Sequence, residues 1–132
     1  MNIATALNRR YVNYTIVMLT SLCINNPEHI DAYLMHNELI DDDIILMRRN
    51  LKNYDIDIIP IYIDRNMLPD NLITNEQWSI ETYFRLLMID ILPESVDRIL
   101  YLDVDTIVHK NISELFNIDF NGNFICAAPD CN

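Results

Sequence analysis

The chain has 132 residues, 51% of them apolar and 22% charged, which fits one globular domain with a sizeable core and excludes a disordered chain. Its formal net charge of −11, with nine scattered Lys and Arg, excludes nucleic acid as a partner, because phosphate binding needs clustered cations. A single glycine, Gly122, excludes a dinucleotide fingerprint and a P-loop, both of which need several glycines for close backbone approach to phosphate.

Residues 2–7, NIATAL, predict a short strand, and residues 14–25, apolar nearly all round, predict a buried helix stopped at Asn26-Pro27. Arg9-Arg10 followed by IVMLTSLCI superficially resembles a signal sequence. The strand-like segment before it, the lack of a small-residue cleavage site and the Asn25-Asn26-Pro27 stop argue against that reading. No run approaches the ~18 apolar residues of a membrane span. Residues 30–35 predict a second strand. Ile40, Ile44, Met47 and Leu51 then recur at helical spacing, opened by Asp41, Asp42 and Asp43 and closed by Arg48, Arg49 and Lys52, as the helix dipole favours. Residues 56–63 predict a third strand, placed at a sheet edge by Pro60.

After a loop through Arg65 and Pro69, Ile80, Tyr83, Phe84, Leu87, Met88 and Ile91 mark an amphipathic helix ended by Pro93. Residues 98–102 predict strand four. Asn111 with Glu114 resembles a capping box for a short helical turn, and Asn121-Gly122 turns the chain into a last strand over 124–128. Alternation of this kind predicts an α/β fold: a mainly parallel sheet with right-handed crossovers and helices on both faces. Three cysteines, Cys23, Cys126 and Cys131, odd in number and without a CxxC, point to a reducing, cytoplasmic compartment, and no structural zinc site is expected.

Among 14 aspartates, three pairs have the form D-x-D: Asp41/Asp43, Asp55/Asp57 and Asp103/Asp105. The first opens a helix and the second begins a strand. Only the third lies at the carboxyl end of a strand, where open parallel sheets bind ligands at the reversal of strand order. With an order of 3-2-1-4, the crevice is rimmed by Asn8, Arg9, Arg10 and Tyr11 on one side and by Asp103 and Asp105 on the other. Two residues apart on an extended chain, these carboxylates share a face and repel. A hard divalent cation relieves that repulsion and keeps positions open for phosphate oxygens. A solvated loop after a strand is the plain alternative.

The segments NIATALNRRY, SIETYFRLLMIDILP, RILYLDVDTIV, and ISELFNIDF leading to CAAPD resemble, in order, the N-terminal portion of family 8 glycosyltransferases. The resemblance implies a GT-A fold, Rossmann-like but truncated here, with residues 1–132 forming its nucleotide-sugar-binding part. It implies a UDP-hexose donor, retention, and a glycan or lipid-linked saccharide acceptor, such as lipopolysaccharide. Asp103 and Asp105 would hold Mn²⁺ or Mg²⁺ against the diphosphate. Ala6 would line the uridine pocket, Tyr11 would stack on uracil, and Arg85, Val104 and Asp130 would lie along the sugar nucleotide. Asn8 stands where the family commonly has Asp, and its amide still offers a uracil edge a donor and an acceptor. Arg10 stands where Asn is common and would contact the nucleotide or face solvent. Family members are considerably longer. Their later half supplies a histidine as third metal ligand, which His29, His36 and His109 do not match, and any peripheral membrane contact would lie there. The chain therefore reads as a fragment or truncated product, in which no covalent nucleophile is evident.

Two other readings compete. The apolar run into Asp103-Val104-Asp105-Thr106 also resembles the first motif of haloacid-dehalogenase-type phosphohydrolases, with Asp103 as nucleophile and Asp105 as general acid. Against it, no glycine follows, the motif normally follows the first strand, and too little chain remains for the other motifs. The second is a non-catalytic UDP-binding fragment.

Overall fold

The computed structural model of the chain describes residues 1–74 and 79–128. Four strands form one parallel sheet: β1 (Asn2–Ala6), β2 (Ile30–His36), β3 (Ile56–Tyr62) and β4 (Leu100–Tyr101), in the order β3-β2-β1-β4. Pro60 sits on β3 at the sheet edge, where its missing N–H costs no ladder bond on the open side.

A 3-10 turn (Arg9–Tyr11) follows β1 and leads directly into α1 (Val12–Asn25). Asn26 ends this helix, and its Nδ2 donates to the Leu22 carbonyl. α2 (Asp41–Leu51) joins β2 to β3, and Asp43 Oδ2 accepts the Ile40 N–H at its start. The register puts Ile3, Ala32 and Ile58 on one sheet face, where α1 contributes Met18, Leu19 and Leu22 and α2 contributes Ile44, Met47 and Leu51.

The crossover from β3 to β4 covers the other face. Having stepped outward from β1 to β3, the chain must return past β1 to place β4, and this reversal moves the connection across the sheet. Phe84, 1% exposed, anchors it against Ala4 and Met35, with Leu68, Ile63 and Tyr101 around it. The predicted helix over 80–91 is present with different geometry: a 3-10 helix (Ile80–Leu87) runs into one turn of α-helix, α3 (Met88–Ile91). Apolar spacing of three and four residues is compatible with both helix types. Arg85 Nε also donates to the Thr82 carbonyl, drawing on the i−3 oxygen within this segment.

Three terminal expectations need correction. Strand four spans Leu100–Tyr101 and not 98–102: the Arg98 carbonyl accepts the Asn2 side-chain amide at 3.0 Å in place of a ladder N–H. α4 (Ser113–Phe116) forms, with the Ser113 N–H donating to Asn111 Oδ1, but Glu114 makes no reciprocal bond among the described residues. Asn121 and Gly122 do turn the chain with φ of 50° and 80°. Residues 124–128 then form no strand: Phe124 is 97% exposed, and the segment pairs with no strand among the described residues.

Candidate functional site

β1 and β4 run side by side with Ala4 opposite Tyr101, so their carboxyl ends open into the same space. β1 delivers Ala6, half-buried, and then the Asn8–Tyr11 turn. β4 delivers Tyr101 and then Asp103. The Leu102 N–H still donates to the Ala4 carbonyl, holding the two chains together to the last residue before the acids.

Asp103 and Asp105 are not on extended chain, contrary to the expectation from spacing. The Thr106 N–H and hydroxyl both donate to the Asp103 carbonyl, closing a turn across Val104 and Asp105. The turn exposes both carboxylates, and Val104 between them packs into the α1-side core. Asp103 is already partnered: Arg85 donates to its Oδ1 at 3.1 Å. The same guanidinium lies 4.5 Å above the Tyr101 ring. Burial pushes the Tyr101 phenol up to about 12; Arg85 pulls it down and the Asp103 carboxylate pushes it further up. The long 3-10 helix thus brings Arg85 across the sheet face to the carboxylate turn, anchored by Phe84 one residue earlier.

On the β1 side, Asn8 caps the 3-10 turn by accepting the Arg10 N–H on its Oδ1 at 3.1 Å. Tyr11 is 41% exposed, its ring centroid 5.6 Å from that of Tyr14. A cavity of about 450 Å³ adjoins this turn, lined by Asn8, Arg10, Glu38, Arg65, Ile80 and the largely buried Glu81. A second hollow of about 400 Å³ lies along β3 and the end of α2, remote from the crevice. Asp130 lies outside the described residues.

Sequence reasoning missed three participants. Tyr101 is the platform beneath Arg85; its position two residues before Asp103 was the available signal. Glu38 and Asp43 hold Arg9, a pairing across about thirty residues that no local pattern announces. The third is a cluster at the opposite end of the sheet. His29 Nδ1 lies 2.7 Å from Asp55 Oδ1, and its Nε2 lies 3.3 Å from Asp31 and 3.8 Å from Asp57. His29, Asp31 and Asp57 could together present ligand atoms to a cation, but they stand at the amino ends of β2 and β3, at the opposite end of the sheet from the β1–β4 crevice.

The sheet order and the face-switching crossover define an α/β fold that matches glycosyltransferase structures of the GT-A type. The model of glycosyl transferase family 8 matches residues 2–132, and the chain belongs to that family. It is 30% identical over 127 residues to the lipopolysaccharide 1,3-galactosyltransferase of Salmonella typhimurium, covering 96% of this chain and 37% of that protein. Galactosyltransferase LgtC, solved with donor and acceptor sugar analogs, superposes with a TM-score of 0.73 at 25% identity, over 90% of this chain and 43% of LgtC. GlyE of Streptococcus pneumoniae gives a TM-score of 0.75 at 25% identity, over 98% and 30% of the respective chains. The chain therefore spans less than half the length of these relatives.

Proposed function

We propose that this chain is the donor-binding part of a hexosyltransferase that takes its sugar from a UDP-hexose and passes it, with retention, to a glycan or lipid-linked saccharide. The observation that carries the reading is the meeting of Arg85 and Asp103 over Tyr101, beyond the carboxyl ends of β1 and β4. Family membership and the named lipopolysaccharide relative support the substrate class. The phosphohydrolase alternative has no comparable support.

The residues present fit a hard divalent cation. Asp103 and Asp105 are exposed carboxylates on one turn, each with oxygen lone pairs to spare, since Arg85 occupies one oxygen of Asp103. Mn²⁺ or Mg²⁺ held there would supply Lewis-acid neutralisation of the charge that develops on the diphosphate as the glycosidic bond breaks. Arg85 keeps further N–H donors beyond those on Thr82 and Asp103, directed at the same anionic region. Asn8 offers its amide N–H groups to a pyrimidine edge, Ala6 leaves the floor open through its small side chain, and Tyr11 presents an exposed ring for stacking. Asp130 and the backbone around Val104 belong to the sugar side of the reading.

Calorimetric titration of UDP with and without Mn²⁺, on this chain and on Asp105→Ala, tests it. Metal-dependent UDP binding that the substitution abolishes is expected. Equal binding without metal contradicts it. UDP binding without transfer from UDP-hexose assigns this polypeptide the binding half alone.

A further inference from the structure

The two adjacent arginines of the β1 turn have different fates. Arg9 is held twice. Its backbone N–H donates to Glu38 Oε1 at 2.8 Å, and its Nε donates to Asp43 Oδ2 at 2.8 Å, with a longer contact from Nη2 to Asp43 Oδ1 at 3.5 Å. Asp43 is itself fixed, because the same Oδ2 accepts the Ile40 N–H at the start of α2. Its side chain is only 14% exposed, against 50% for that of Arg9. Arg10 is the neighbour that lines the cavity beside Asn8.

We infer that Arg9 is a positioning residue: its clamp on Glu38 and Asp43 sets the conformation of the Asn8–Tyr11 turn and commits Arg10, not Arg9, to the cavity beside Asn8. The inference rests on the donor-binding reading above. An exposed ion pair alone contributes little to stability. Here the partner is mostly buried and carries a second hydrogen bond, so the pair fixes geometry more than it adds energy. Four consecutive residues, Asn8 to Tyr11, form the β1 rim of the crevice, and a short turn with a single side-chain cap has few other restraints. Pre-organising such a turn improves affinity by reducing the ordering cost of binding.

If Arg9 were instead a direct phosphate ligand, releasing it from Asp43 would preserve or tighten binding. The two roles therefore predict opposite effects of Asp43→Asn, which retains a side-chain oxygen for the Ile40 N–H. The test is UDP titration in Mn²⁺, together with amide hydrogen exchange across residues 8–11, on the wild-type chain, Arg9→Ala, Arg9→Lys and Asp43→Asn. Arg9→Ala and Asp43→Asn should each weaken UDP binding roughly tenfold and speed exchange in the turn, with little change in melting temperature. Arg9→Lys should recover most of the affinity. Unchanged exchange in both disruptive variants overturns the clamp, and faster exchange with wild-type affinity overturns its role in binding. A wild-type chain that binds no UDP defeats the donor-binding reading, whereas the exchange data still judge the clamp.

Discussion

At the scale of single residues, what distinguishes the buried polar groups is whether they have partners. Thr5 on β1 is 1% exposed, and its hydroxyl has no hydrogen-bond partner among the described residues. An unsatisfied buried hydroxyl costs about 1–3 kcal/mol, and valine has the same shape. Thr5→Val should raise stability by about 1 kcal/mol, read as a higher urea midpoint at unchanged slope. Two histidines, exposed His29 and buried His36, have shifts of opposite sign. Hydrogen bonding to Asp55 first, and then to Asp31, raises the pKa of His29, whereas burial lowers that of His36 despite the nearby Asp43. The raised group stabilises the fold fully below its unfolded value of about 6.5, and that contribution is lost as pH rises through the folded value. The depressed group instead costs stability as pH falls through the same region. His29→Gln should therefore lose stability relative to wild type, by a margin that widens from pH 8.5 to pH 5.5. A margin independent of pH in denaturant titrations would contradict this.

At the scale of elements, the segment after β4 is fastened to the fold by polar contacts and not by a sheet ladder. Arg98 holds the carbonyls of Phe116 and Ile118, and its guanidinium lies 4.5 Å above the Phe120 ring. The Val108 N–H donates to Ser21, Asn25 donates to the Val108 carbonyl, and Asn26 accepts the Ile112 N–H, strapping the same stretch to the end of α1. Arg98→Ala removes two charge-assisted hydrogen bonds and should cost about 2 kcal/mol, with limited proteolysis cutting first within 113–128. Arg98→Lys should recover only part, because an ammonium cannot reproduce the planar fork. Elements with strong apolar periodicity or clear stops, such as α1, α2 and the first three strands, were legible in the sequence to within a few residues. Several errors fall where a side chain takes up a backbone carbonyl: Asn2 at Arg98 before β4, Thr106 at Asp103 in the carboxylate turn, and Arg85 at Thr82 within the 3-10 helix.

At the scale of the whole molecule, the sheet order was legible because the chain alternates β and α, and because Pro60 marks an edge. The position of the crevice followed from that order, and it selected Asp103/Asp105 from three D-x-D pairs. The other two pairs have partners of their own: Asp43 with Arg9, and Asp55 and Asp57 with His29. Those pairings were not legible, since they join residues far apart in sequence and depend on which helix and strand ends the fold brings together. No described helix is long and apolar enough to cross a membrane. The proposed function requires a divalent cation seated on the carboxylate turn beyond β4. Anomalous diffraction from a crystal soaked with Mn²⁺ and UDP measures this directly. A manganese peak bridging Asp103 and Asp105, with diphosphate oxygens against it, is expected; a peak confined to His29, Asp31 and Asp57, with the turn vacant, would overturn it.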